Sequence, residues 1–298
     1  MKKIIASFIL IISMHSVFSQ YNPLYSKIPN YIEAPDEESS ATDGVLRISK
    51  VSIPGYAFFS AGDDAEKPCV IICPGGGYTI LAAAHEGTDV AKYFNSIGVH
   101  ALVLKYRIPS DKNQTDKKFA PLQDAQRAIQ LVREHAKKWK VDPNKVGIMG
   151  FSAGGHLASS LAVHYSDPKI KVNQKVSLRP DFQILGYPVI SFSKFSHVGS
   201  RKNLLGKDST ESMMDYFSNE LHVDANTPMA FIVHAKDDKV VPVENSLLYA
   251  DALKSNGVEA SLFIYEKGGH GFGMTNKTSS ESWLDALKIW MQKNKIID

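Results

Sequence analysis

The sequence predicts an α/β fold with a mostly parallel central sheet and helices on both faces. Three observations carry this expectation. Short apolar runs recur along the chain, stretches of helical spacing separate them, and Gly or Pro punctuates the junctions. Strands alternating with helices in this way make βαβ units, which build parallel sheets. The 298 residues, 44% hydrophobic and 22% charged, suffice for one large domain with a substantial core.

The elements follow in order. Residues 45–59 carry β-like runs broken by Pro54-Gly55, which predicts a hairpin. Residues 70–73 are a short buried strand that ends in Pro74 and three glycines. Val90, Ala91, Phe94 and Ile97 give residues 85–97 helical spacing, closed by Gly98. Residues 101–104 form the next strand, and residues 119–139 a long amphipathic helix with Ala125, Ala128, Ile129, Val132 and Ala136 on one face. Residues 146–149 are a strand and 153–164 a helix rich in Ala and Leu. Residues 182–185, 230–233 and 260–265 read as further strands, with helices at 244–256 and 280–293. Residues 188–228 break the rhythm; they read as a small cap insertion with short helices near 203–205 and 212–217, against the rival reading of a plain surface excursion.

The ends and the charge narrow the function classes. Lys2 and Lys3 precede a short apolar run at 4–12, and Val17-Phe18-Ser19 then leads to Gln20; residues 1–19 are expected to be a cleaved signal peptide, with an uncleaved membrane anchor as the rival, and the protein to be secreted or periplasmic. Residues 20–44 read as an N-terminal arm and 45–298 as the catalytic domain. Losing residues 1–19 removes two lysines and no acid, so the formal charge falls from +3 to +1. A nearly neutral chain argues against a nucleic-acid partner, which needs a basic face. No later run is apolar for long enough to span a bilayer, so no membrane partner is expected. Cys69 and Cys73 stand four apart in an extended run, too far to bridge, and are expected to be buried free thiols.

The chemistry lies in the junctions. Gly150-Phe151-Ser152-Ala153-Gly154 matches G-x-S-x-G between a strand and a helix, the setting of a nucleophile elbow. Such a turn needs small residues on either side of the serine. The rival reading is an N-cap serine in a Gly-rich turn. A serine hydroxyl needs an imidazole to take its proton and a carboxylate to orient that imidazole. The order Ser, Asp, His is completed by Asp238 and His270, both on loops after strands. Asp237 competes with Asp238; the segment resembles a D-x-x-V-P loop that favours Asp238, with Val241 and Pro242 in register. His85, His156, His197 and His234 share no metal-ligand spacing, and neither a metal nor a cofactor is expected.

Pro74-Gly75-Gly76-Gly77-Tyr78 resembles the HGGG-type loop of esterases, with proline where histidine is usual. That resemblance assigns the oxyanion hole to the amides of Gly76 and Gly77 with Ala153. Tyr78, Tyr187 and Phe272 lie next to strand ends and read either as substrate-binding aromatics or as core.

Together with His85-Glu86-Gly87, Tyr106-Arg107 and Asn203-Leu204-Leu205-Gly206, these motifs resemble the bacterial acetylxylan-esterase-like hydrolases of the α/β-hydrolase superfamily, related to a feruloyl-esterase-like branch. The resemblance spans about residues 45–295. It implies an α/β-hydrolase fold and hydrolysis of short acyl esters, acetyl above all, on acetylated saccharides of plants or algae. A serine peptidase and an arylformamidase-like amide hydrolase stay open, because the residues alone show a serine hydrolase. A sugar-binding protein with a dead site is disfavoured by the intact order of Ser, Asp and His.

Overall fold

The computed structural model describes residues 21–42, 45–62 and 65–298, so the expected signal peptide lies outside the described residues. The strands are β1 (Asn22–Pro23), β2 (Ser39–Thr42), β3 (Leu46–Ser49), β4 (Gly55–Phe59), β5 (Lys67–Cys73), β6 (Ile80–Leu81), β7 (His100–Lys105), β8 (Val141–Phe151), β9 (Phe182–Gly186), β10 (Met229–Ala235) and β11 (Ala260–Tyr265). The helices are α1 (Asp89–Ser96), α2 (Ala120–Glu134), α3 (Ala136–Trp139), α4 (Ser152–His164), α5 (Val198–Leu205), α6 (Glu211–Tyr216), α7 (Glu244–Ser255) and α8 (Trp283–Lys293).

Eight strands make one sheet in the order β1-β4-β7-β5-β8-β9-β10-β11. From β7 to β11 neighbours run parallel, while β4 is antiparallel to β7 and to β1. A parallel sheet buries both faces under helices, and side chains along each strand alternate between them. Strand β5 shows the division. Cys69, Ile71 and Cys73 join Leu157 of α4 and Tyr249 of α7 in one core. Val70 and Ile72 join Phe94 of α1 and Trp283 of α8 in the other. Both cysteines are free and buried, and burial pushes both thiols up. At the outer edge, β11 is half-buried from Ala260 to Ile264, and only Tyr265 is fully covered.

Three expectations need correction. Residues 45–59 form no hairpin: β3 pairs with β2 and β6 in a separate three-stranded sheet, and β4 belongs to the large one. The chain changes sheets between them, turning at Lys50, whose φ is 54°. The helix expected at 119–139 breaks at His135, and the short α3 stops at Lys140 in a left-handed conformation. The helix expected from residue 85 opens instead with a π-helical turn, Ala84–Thr88, before α1. Such widened turns recur at functional sites.

Residues 188–228 lie between β9 and β10 and carry α5 and α6. They pack over α4: the His156 ring stacks on Phe192 at 4.2 Å, and Nε2 of His156 donates to the Phe217 carbonyl at 2.8 Å. On the other flank the arm is tied down by Arg107, which donates to the Pro29 carbonyl at 2.8 Å and pairs with Asp124 of α2.

Candidate active site

Register brings the site together. Cys73 pairs with Gly150, so β5 and β8 end side by side and the glycine loop after β5 meets the turn after β8. Ala235 pairs with Tyr265, so the loops after β10 and β11 also start level. All four loops leave the carboxyl ends of parallel strands, where open α/β sheets form their sites.

Ser152 sits on the β8–α4 turn with φ 52°, a region that side-chain-bearing residues rarely occupy. The turn is tight enough to require its glycines. A Cβ at Gly150 would lie 2.0 Å from the Gly154 carbonyl oxygen, and one at Gly154 would lie 2.1 Å from that of Cys73.

The Ser152 hydroxyl lies 2.9 Å from His270 Nε2, and His270 Nδ1 lies 2.6 Å from Asp238 Oδ2. An ionised carboxylate only accepts, so Nδ1 carries the ring proton and Nε2 accepts from the serine. His270 stands between Gly269 and Gly271, with φ of 61° and 80°, which lets the loop turn tightly around the ring. Burial opposes ionisation of Asp238, but hydrogen bonds from His234 and His270, with the His270 charge and the Val241 amide, hold its carboxyl well below the usual range.

The choice between the two aspartates is geometric. Asp238 faces the imidazole, while Asp237 Oδ1 accepts from the Gly268 and Gly269 amides at 2.9 and 2.8 Å. Asp237 therefore anchors the loop that carries His270. Nor does His234 merely close its strand. Its Nε2 lies 3.2 Å from Asp238 Oδ2 and 3.0 Å from the Val241 carbonyl, both acceptors, so Nε2 donates and Nδ1 accepts from Ser246.

Along the glycine loop, Gly76 and Gly77 have φ of 134° and 63°, and a Cβ at Gly76 would strike the Ile80 carbonyl oxygen at 2.2 Å. The loop is held from three sides. The Gly75 amide donates to Glu86 Oε2 at 2.9 Å, the Gly77 carbonyl accepts from Asn203 of α5 at 2.8 Å, and Ile80 donates back to Gly76. The Gly76 and Gly77 amides have no partner among the described residues. The Ala153 amide belongs to the first turn of α4, whose N–H groups lack intrahelical acceptors.

Of the aromatics, Tyr78 and Tyr187 are core residues whose hydroxyls are spent on protein partners. Tyr78 is buried and its hydroxyl donates to His156 Nδ1 at 2.8 Å. Tyr187 is buried; its hydroxyl donates to Glu86 Oε1 at 2.7 Å and accepts from the Gly273 amide at 2.9 Å. Both lie at positive φ, which turns them inward from the strand ends. Phe272 is only half-buried and packs edge-on against Tyr187 at 4.7 Å. Glu86 stands in the His85-Glu86-Gly87 motif of the resemblance, where the sequence reads it with His85 as a pocket rim or as a helix start, and assigns it no role in holding the loops.

This sheet, the strained serine turn and the loop order define an α/β-hydrolase. The BD-FAE family model matches residues 58–253, and the chain belongs to that family. It is 39% identical over 209 residues to an acetylxylan esterase of Xylanibacter ruminicola, covering 68% of this chain and 41% of that one. It is 38% identical over 239 residues to endo-1,4-beta-xylanase B of Butyrivibrio fibrisolvens, covering 78% of this chain and 36% of that one. The chain thus spans well under half the length of these two relatives. Among solved structures, an acetyl ester-xyloside bifunctional hydrolase from Caldicellulosiruptor lactoaceticus superposes with a TM-score of 0.82 at 39% identity, covering 93% of this chain and 97% of that one.

Proposed function

We propose that this chain is a serine carboxylic-ester hydrolase that removes short acyl groups, acetyl above all, from xylan-like saccharides. The observation that carries the chemistry is the continuous path from the Ser152 hydroxyl through His270 to Asp238, at 2.9 and 2.6 Å, beside unpartnered loop amides. The substrate class rests on the acetylxylan esterase and the acetyl ester-xyloside hydrolase among the relatives.

Ser152 attacks the ester carbonyl while His270 takes its proton, and Asp238 keeps the ring in the accepting tautomer. The amides of Gly76, Gly77 and Ala153 face the oxygen as it gains charge. His270 then protonates the departing sugar alkoxide, and water repeats the cycle on the acyl-enzyme. Export follows from residues 1–19, and the N-terminus of material recovered outside the cytoplasm tests it.

The test of function compares wild type with Ser152→Ala on p-nitrophenyl acetate, p-nitrophenyl butyrate, an aminoacyl anilide and acetylated xylan. Acetate release from xylan and p-nitrophenyl acetate, lost in the variant, is expected. Anilide cleavage without ester cleavage would replace the proposal with a peptidase.

A further inference from the structure

We propose that Glu86 is a positioning residue that fixes the oxyanion loop against the histidine loop, so that donor amides and imidazole act on one carbonyl. The inference rests on the esterase reading above and adds a residue to that site.

Glu86 is 4% exposed and projects from the π-helical turn before α1. Its two oxygens serve two different loops. Oε2 accepts from the Gly75 amide at 2.9 Å, and Oε1 accepts from the Tyr187 hydroxyl at 2.7 Å. Gly75 has no room for a side chain, since a Cβ there would lie 2.6 Å from Glu86 Oε2 and 3.1 Å from Ser152 Cβ. The carboxylate therefore touches the loop directly behind the nucleophile.

Tyr187 carries the link onward. Its hydroxyl accepts from the Gly273 amide at 2.9 Å, and its ring sets an edge contact with His270, centroids 4.9 Å apart. Its φ of 36° is unfavourable for a tyrosine, so its surroundings hold it there. The chain of contacts thus runs from Gly75 through Glu86 and Tyr187 to both Gly273 and His270. Both main partners of Glu86 donate to it, the Gly75 amide to Oε2 and the Tyr187 hydroxyl to Oε1.

The oxyanion donors bear on the rate only where charge develops, so a misplaced loop lowers kcat and spares KM. The experiment uses the full chain, wild type, Ser152→Ala, Glu86→Gln, Glu86→Ala, Tyr187→Phe and Glu86→Ala/Tyr187→Phe. Turnover of p-nitrophenyl acetate is expressed per serine titrated to completion with a fluorophosphonate, and Tm is measured in parallel. Glu86→Ala is expected to lower kcat roughly a hundredfold, the scale of one lost oxyanion donor, with KM within about threefold. Glu86→Gln keeps a carbonyl for the Gly75 amide but cannot accept from Tyr187 at the same atom, so its loss is expected to be about tenfold. The double variant is expected to fall within about twofold of Glu86→Ala, because both changes cut one chain.

Unchanged kcat per titrated site in Glu86→Gln and Tyr187→Phe, with only Tm or the titratable fraction reduced, overturns the proposal, even if Glu86→Ala fails to fold. Multiplicative losses in the double variant overturn it as well. If wild type does no better than Ser152→Ala, the esterase reading itself has failed and the positioning role falls with it.

Discussion

Two buried aspartates in this molecule carry no exposed side-chain surface, yet they belong to different kinds of region. Asp124, on α2 beneath the N-terminal arm, is held by Arg107 through its backbone amide, Nε and Nη2 at 2.8 to 3.1 Å. The remaining guanidinium donors go to the Pro29 and Ala120 carbonyls and to Gln123. Asp238, on the loop after β10, meets two imidazoles and the Val240 and Val241 amides. A guanidinium stays charged at every accessible pH, so the Asp124 pair can only hold structure. An imidazole changes charge near neutrality, so Asp238 can stabilise a proton in transit. The partner and the path to a hydroxyl separate the two roles; burial does not.

The widest contrast is expected from matched amide substitutions. Asp238→Asn should lower kcat about 10⁴-fold, because Asn presents the wrong hydrogen-bonding atom to His270. Its Oδ1 still accepts from the Val240 and Val241 amides, but its Nδ2 faces the buried His234 donor, so Tm should fall as well. Asp124→Asn should cost stability alone. It leaves Arg107 buried against a neutral group and should reduce stability by about 3–5 kcal/mol in denaturant titration. Its kcat per titrated serine should stay within about twofold of wild type. A large kcat loss in Asp124→Asn with intact stability would erase the distinction.

His156 sharpens the comparison from the imidazole side, since it is buried without a carboxylate. Burial lowers its pKa to about 4, with the Phe217 carbonyl opposing and the charge of His164 adding to the fall. Below pH 6.5 the unfolded chain binds a proton on this ring that the folded chain refuses. Stability should therefore decline as pH falls from about 6.5 towards 4, by on the order of 3 kcal/mol from this ring. The stability gap between wild type and His156→Gln, measured by denaturant unfolding across this range, should narrow as the pH drops. A constant gap would remove the burial argument for His156.

Legibility from sequence followed locality. The elbow, the D-x-x-V-P loop and the glycine-flanked histidine each lie within a few residues, and each stands beside a strand with its own apolar signature. Glu86 was visible as part of a motif but its role was not legible, because that role depends on Tyr187, 101 positions away, and on a π-helical turn that ordinary helical spacing hides. Asp237 reads from the sequence only as a competitor of Asp238, since its bonds to Gly268 and Gly269 span about thirty positions. Tyr78 and Tyr187 were ambiguous because an aromatic after a strand can turn outward or inward. Their positive φ decided the matter, and no residue type announces that in advance. The absent hairpin has the same origin: Pro54-Gly55 signals a turn and says nothing of which sheet the chain enters next.

The outermost position of β11 has a consequence for endurance. Ser152 stands on the central ribbons, but His270 hangs just past the border ribbon, whose first five residues are only partly covered. Borders fray before centres. Warming is therefore expected to silence turnover before the inner layers lose their shape, which activity followed beside circular dichroism over a temperature ramp would check.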